Sequence, residues 1–161
     1  MHPTWCWIIR ARLRTKMKEK TTKEMKSLLI NANAEKRNEI LVNFIDEKGL
    51  VRLSYDDINR FLNQEGVLIK RDVKKNNAAE AIKELSDSIQ YCGYGVNDAK
   101  ALLLGLTVSS DRSFKESIEL LDYLNGWLNG LDNFEVVLWS LKLEEGLSYK
   151  FYIDSWTIFN V

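Results

Sequence analysis

The sequence predicts an α+β fold: a two-layer arrangement in which a four-stranded mixed sheet is packed by helices and preceded by a long helix. Three observations predict it. From Val67 onward, short runs with strand character alternate with runs of helical spacing. The run from Asp98 to Thr107 is continuously apolar after its first residues, as in a strand buried inside a sheet. Ahead of both, from Thr22 to Glu47, apolar residues recur on one helical face.

At 161 residues the chain is long enough to bury a normal core as one domain, read here as residues 22–161 behind a basic tail, residues 1–21. With 45% hydrophobic and 29% charged residues it belongs among soluble globular proteins, and a cytoplasmic location is expected. The formal net charge of zero supplies no general attraction to nucleic acid or to an anionic membrane. Cys6 and Cys92 lack metal-ligand spacing and fit a reduced compartment. His2 is the single histidine, which removes histidine-based catalysis. The spacing of polar residues suggests no catalytic group, metal site or cofactor.

The tail concentrates charge. Arg10, Arg12, Arg14, Lys16, Lys18, Lys20 and Lys23 against Glu19 and Glu24 give +5, so the remainder carries −5. Trp5, Trp7, Ile8 and Ile9 precede the basic run, the reverse of a secretory signal. The tail is read as an unstructured terminus rather than a membrane-surface anchor.

In chain order, Met25, Leu28, Leu29 and Ala32, then Ile40, Leu41, Phe44 and Ile45, mark the inner face of the long helix. A loop follows from Gly49. Ser54 sits at an N-cap position with Asp57 three residues on, a capping-box pattern. Tyr55, Ile58, Phe61 and Leu62 continue the helix, and Gly66 is expected to end it. A strand over 67–73 leads to a helix capped by Asn76 or Asn77, with Ala78, Ala81, Ile82, Leu85 and Ile89 inward. After the loop Tyr91–Gly95 comes a strand over 100–108. Ser113 and Glu116 form a second capping-box pattern, opening a helix expected to bury Phe114, Ile118, Leu121 and Leu124 and to end near Gly126 or Gly130. Strands over 134–143 and 149–159, joined by Glu144–Ser148 with Gly146 at the turn, read as a hairpin. Trp127, Trp139 and Trp156 suit packing roles, and Glu144, Glu145 and Asp154 are expected in solvent.

The stretch Gly49-Leu50-Val51-Arg52-Leu53-Ser54-Tyr55-Asp56-Asp57-Ile58 resembles the loop that follows the long central helix of FtsZ, the bacterial tubulin homologue. That family has asparagine where this chain has Arg52, and aspartate where it has Ser54; its second aspartate is matched by Asp57. Ala78–Ile82 and Asp98–Thr107 resemble the alanine-rich helix and the buried strand of the same domain, and the element order from Gly49 onward is collinear with it. In the family those three side chains reach the GTP site of the next subunit and activate the hydrolytic water. The resemblance therefore implies a lone C-terminal-type domain whose partner-binding residues are Gly49, Leu50, Arg52, Ser54 and Asp57. It implies FtsZ or another tubulin-like protein as partner, with homo-oligomers possible. The glycine-rich phosphate-binding signature of the family does not occur in the sequence. The implied role is non-catalytic, binding or capping a tubulin-like cell-division filament. The alternatives are a subunit of a split GTPase whose nucleotide half is supplied in trans, and a small interaction or inhibitor module unrelated in function.

Overall fold

A computed structural model of the chain describes residues 39, 40, 44, 49–109 and 114–160. Its elements are α1 (Tyr55–Leu62), β1 (Val67–Lys75), α2 (Ala78–Ser88), a short 3-10 turn (Val96–Asp98), β2 (Ala99–Ser109), α3 (Lys115–Asn129), β3 (Val136–Glu144) and β4 (Phe151–Phe159). Glu39, Ile40 and Phe44 are helical. The basic tail, the rest of the expected long helix and Ser113 lie outside the described residues.

The strands form one mixed sheet in the order β1-β4-β2-β3. β4 runs antiparallel to both neighbours, and β2 runs parallel to β3. One expectation is corrected here: β3 and β4 exist and Gly146 takes a φ of 74° between them, but they are not a hairpin, because β2 separates them. α3 acts as the crossover that parallel strands require and sets β3 on the outer side of β2. The inner side of β2 is then open to β4. That strand is fit for an interior place, since Phe151, Ile153 and Phe159 are buried on one face and Trp156 and Ile158 on the other.

The α+β class with a four-stranded mixed sheet stands, and the layering goes beyond two. On one face, Ala81, Ile82 and Leu85 of α2 and Leu120 and Leu124 of α3 pack on Leu102, Leu104, Leu106 and Ile153. On the other, Ile58 and Phe61 of α1 join the helical Ile40 and Phe44 over Leu68, Ala101, Leu103 and Trp156. Central strands apolar on both faces need cover on both, and full burial of one such large side chain contributes about 1.5–3 kcal/mol.

Two further expectations are corrected. α3 buries Ser117, Leu120 and Leu124, whereas Phe114 and Ile118 are 62% and 57% exposed. Leu120 and Leu121 sit about 100° apart on the helix, and the pair Leu120–Leu124, one turn apart, decides which faces the sheet. Gly66 does not end α1, which stops at Leu62 with Asn63 as its C-cap. Gly66 instead takes a φ of 143° where a Cβ would stand 2.2 Å from the Phe159 carbonyl oxygen. It is the point where the link into β1 passes hard against β4.

Candidate docking site

The loop from Gly49 to Ser54 is held at both ends by hydrogen bonds. The amides of Leu50 and Val51 donate to the Leu141 carbonyl at 2.8 and 3.1 Å, and the Leu141 amide donates to the Val51 carbonyl at 3.0 Å. This bridge clips the loop to β3. At the other end the capping box forms as expected: the Asp57 amide donates to Ser54 Oγ and the Ser54 amide to Asp57 Oδ2, both at 3.1 Å. Between these anchors Arg52 donates from Nε to the Gly49 carbonyl at 3.1 Å, which bends its side chain back over the loop and keeps it exposed. Leu50 is 51% exposed. All five residues singled out from the sequence lie in this loop and the first turn of α1. They differ in what they do there: Ser54 and Asp57 hold the helix end, while Arg52 and Leu50 face outward.

Beside the loop, the part of the sheet not covered by α1 turns polar. Strand register aligns Asp72, Asp154, Gly105 and Ser140 in one row across the sheet, and Lys74, Tyr152, Thr107 and Lys142 in the next. Gly105 lets the sheet accept the Phe44 ring, since a Cβ there would lie 3.2 Å from two ring carbons. Arg52, Thr107, Ser140, Lys142 and Asp154 meet in a cleft of about 30 Å³. That is room for two or three waters, taking about 10–15 Å³ for each, and far too little for a nucleotide. Sequence reasoning missed these partners of Arg52. The available signal was parity: Ser140 and Lys142, Asp154 and Tyr152, and Gly105 and Thr107 are each two residues apart, hence on one face of their strands.

The cleft carries one perturbed acid. Asp154 was expected to be simply solvated, and as a residue it is exposed. Its carboxyl is nonetheless pushed up to about 6, first by desolvation and then by a hydrogen bond to, and the negative charge of, Asp72 directly across the β1–β4 pairing; Lys70 and Lys142 oppose the shift. Among the described residues there is no group of three or more side chains that could hold a metal ion. No described helix is long and apolar enough to cross a membrane.

The architecture matches solved structures. An empty FtsZ dimer from M. jannaschii superposes with a TM-score of 0.57 at 16% identity, over 92% of this chain and 43% of that one. A mutant FtsZ from the same organism gives 0.57 at 20% identity, over 86% and 40%. The fold is that of a partial FtsZ/tubulin-like domain. CetZ from Methanosaeta thermophila is more distant, with a TM-score of 0.47 at 16% identity, over 81% of this chain and 36% of that one. The chain therefore spans about two-fifths of the length of the FtsZ structures that it matches. No protein-family model matches the sequence, and no curated protein does.

Proposed function

We propose that the protein docks, without catalysis of its own, on a tubulin-like filament through the loop Gly49–Asp57. The observation that carries this reading is the way the loop is built. Both ends are clamped, by β3 and by the capping box, while Arg52 and Leu50 stand out from the middle. A pre-ordered loop loses little conformational freedom on binding. Among the described residues no carboxylate pairs with the Arg52 guanidinium, which suits bidentate contact with a phosphate or carboxylate at the nucleotide face of a neighbouring subunit. The FtsZ-like fold supports a tubulin-like protein as that neighbour. Asp57 is an unsuitable activator of water in this state, because its carboxylate already accepts the Ser54 amide. Docking is therefore expected to occupy a filament end without stimulating hydrolysis.

Co-sedimentation with FtsZ filaments in GTP tests the reading. The unaltered protein should pellet with the filaments, and Arg52→Glu should abolish this while leaving the melting temperature nearly in place, since Arg52 is exposed and outside both core clusters. Absence of the unaltered protein from the pellet would remove the proposal. A GTP turnover that rises when the two proteins are mixed would replace it with the split-GTPase reading.

A further inference from the structure

The two margins of the sheet are guarded unequally. β1 carries Lys70, Arg71, Asp72, Lys74 and Lys75, charges that discourage a further strand from pairing. β3 reads Val-Val-Leu-Trp-Ser-Leu-Lys-Leu-Glu, with charge only near its end. Among the described residues its outer side is bridged only at Leu141, by Val51. The ground beside this edge is apolar. Val137 and Trp139 are half-buried and Leu143 is 37% exposed, all on the face that α3 covers. Glu116 of α3 pairs with Lys150 next to β4 at 3.3 Å, which turns that flank of the helix inward along the sheet. The opposite flank, with Phe114, Ile118 and Leu121, therefore looks toward β3. Acids frame the groove: Asp132, Glu135, Glu144 and Glu145 flank or end β3, against Lys142 alone.

The chain contains a segment of complementary pattern. Trp5, Trp7, Ile9, Ala11 and Leu13 occupy alternate positions, and Cys6, Ile8, Arg10, Arg12 and Arg14 lie between them. This is the period of a strand with one apolar face and a second face that is basic from Arg10 onward. The 24 residues from Thr15 to Asn38 link it to Glu39, which sits beside β1 through Lys70 at 3.3 Å. β1 and β3 are three strand spacings apart, about 15 Å. Twenty-four residues reach about 36 Å even if fully helical, so the link is long enough.

We propose that Trp5–Arg14 pairs along the outer edge of β3 ahead of the Val51 bridge, beside residues 136–140, as a fifth strand. Its apolar face lies against Val137, Trp139 and the exposed flank of α3, and its arginines reach Asp132 and Glu135. Backbone pairing supplies the attachment, and the apolar groove and charge supply the register.

Hydrogen exchange on the full chain tests this. The amides of residues 136–140 should exchange at least tenfold more slowly in the unaltered protein than in the double variant Ile9→Asp, Leu13→Asp. Ile118→Glu, at an exposed groove position, should speed the same amides. β2, inside the sheet, reports on folding and should stay slow in all three proteins. Equal exchange of β3 in the unaltered protein and the double variant would overturn the proposal. So would protection of β3 that grows with protein concentration, which would give the groove to a second copy.

Discussion

The carboxylate of Asp57 and the hydroxyl of Ser54 each accept the other residue's amide, so each removes an otherwise unpaired donor from the start of α1. Asp57→Ala leaves the Ser54 amide without its partner and should lower stability by about 0.5–2 kcal/mol in urea unfolding; an unchanged midpoint would show that the box contributes nothing. Asp154 gives the second residue-scale prediction, with the opposite dependence on charge. Its folded pKa, about 6, lies above the ordinary 3.8 of a free aspartate. The folded protein thus holds this proton more tightly than the unfolded chain does, and the associated stability is full below about 4 and lost as pH rises through 6. Asp154→Asn, which imitates the protonated acid, should raise the melting temperature at pH 7 and leave it nearly unchanged at pH 4. The same benefit at both pH values would mean that the Asp72–Asp154 apposition is not its source. The cation over Tyr152, Lys74 at 5.7 Å, lies in the row on one side of the acid pair, and the one over Trp156, Lys70 at 5.2 Å, in the row on the other side, where its charge opposes the upward shift of Asp154.

At the scale of elements, what could be read from the sequence was what neighbours in sequence decide. The inner face of α2, the Asn77 cap with its 3.1 Å bond from the Glu80 amide, and the Ser54–Asp57 box are all local, and all appear as expected. The missed features depend on partners far along the chain. Adjacent strands with a glycine turn between them imply a hairpin, yet β4 pairs with β1 and β2 because α3 has already carried β3 to the far side. The companions of Arg52 come from β2, β3 and β4, and only the register brings Thr107, Ser140, Lys142 and Asp154 together. Gly66 shows the same limit. A glycine just after a helical pattern looks like a helix stop, but its necessity comes from Phe159, nearly a hundred residues later. Gly66→Ala should therefore cost more than a cap exchange. The left-handed φ alone carries about 1–3 kcal/mol of strain, and the backbone of β4 must also move to admit the methyl group. A variant as stable as the parent would mean that the α1–β1 link can relax away from the sheet.

For the molecule as a whole, the described core closes on itself from Ile40 onward. Ile40, Ile58, Phe61 and Trp156 are fully buried together on one face of the sheet, and Leu85, Leu102, Leu104 and Leu120 on the other. The strands most heavily paired, β2 and β4, are the two that carry apolar residues on both faces, so the two clusters share their central strands and should unfold together. A strand added at the β3 edge would lie outside both clusters. Removal of residues 1–16 is therefore expected to preserve a single cooperative urea transition with the slope of the full chain, because the slope follows the surface exposed on unfolding and the two clusters supply most of it. Exchange at β3 should quicken in the truncated protein while β2 and β4 stay protected. A broadened or two-step transition would place Trp5, Trp7 and their neighbours inside the cooperative core, so that the basic segment would be a structural part of the domain and not an attachment along one edge.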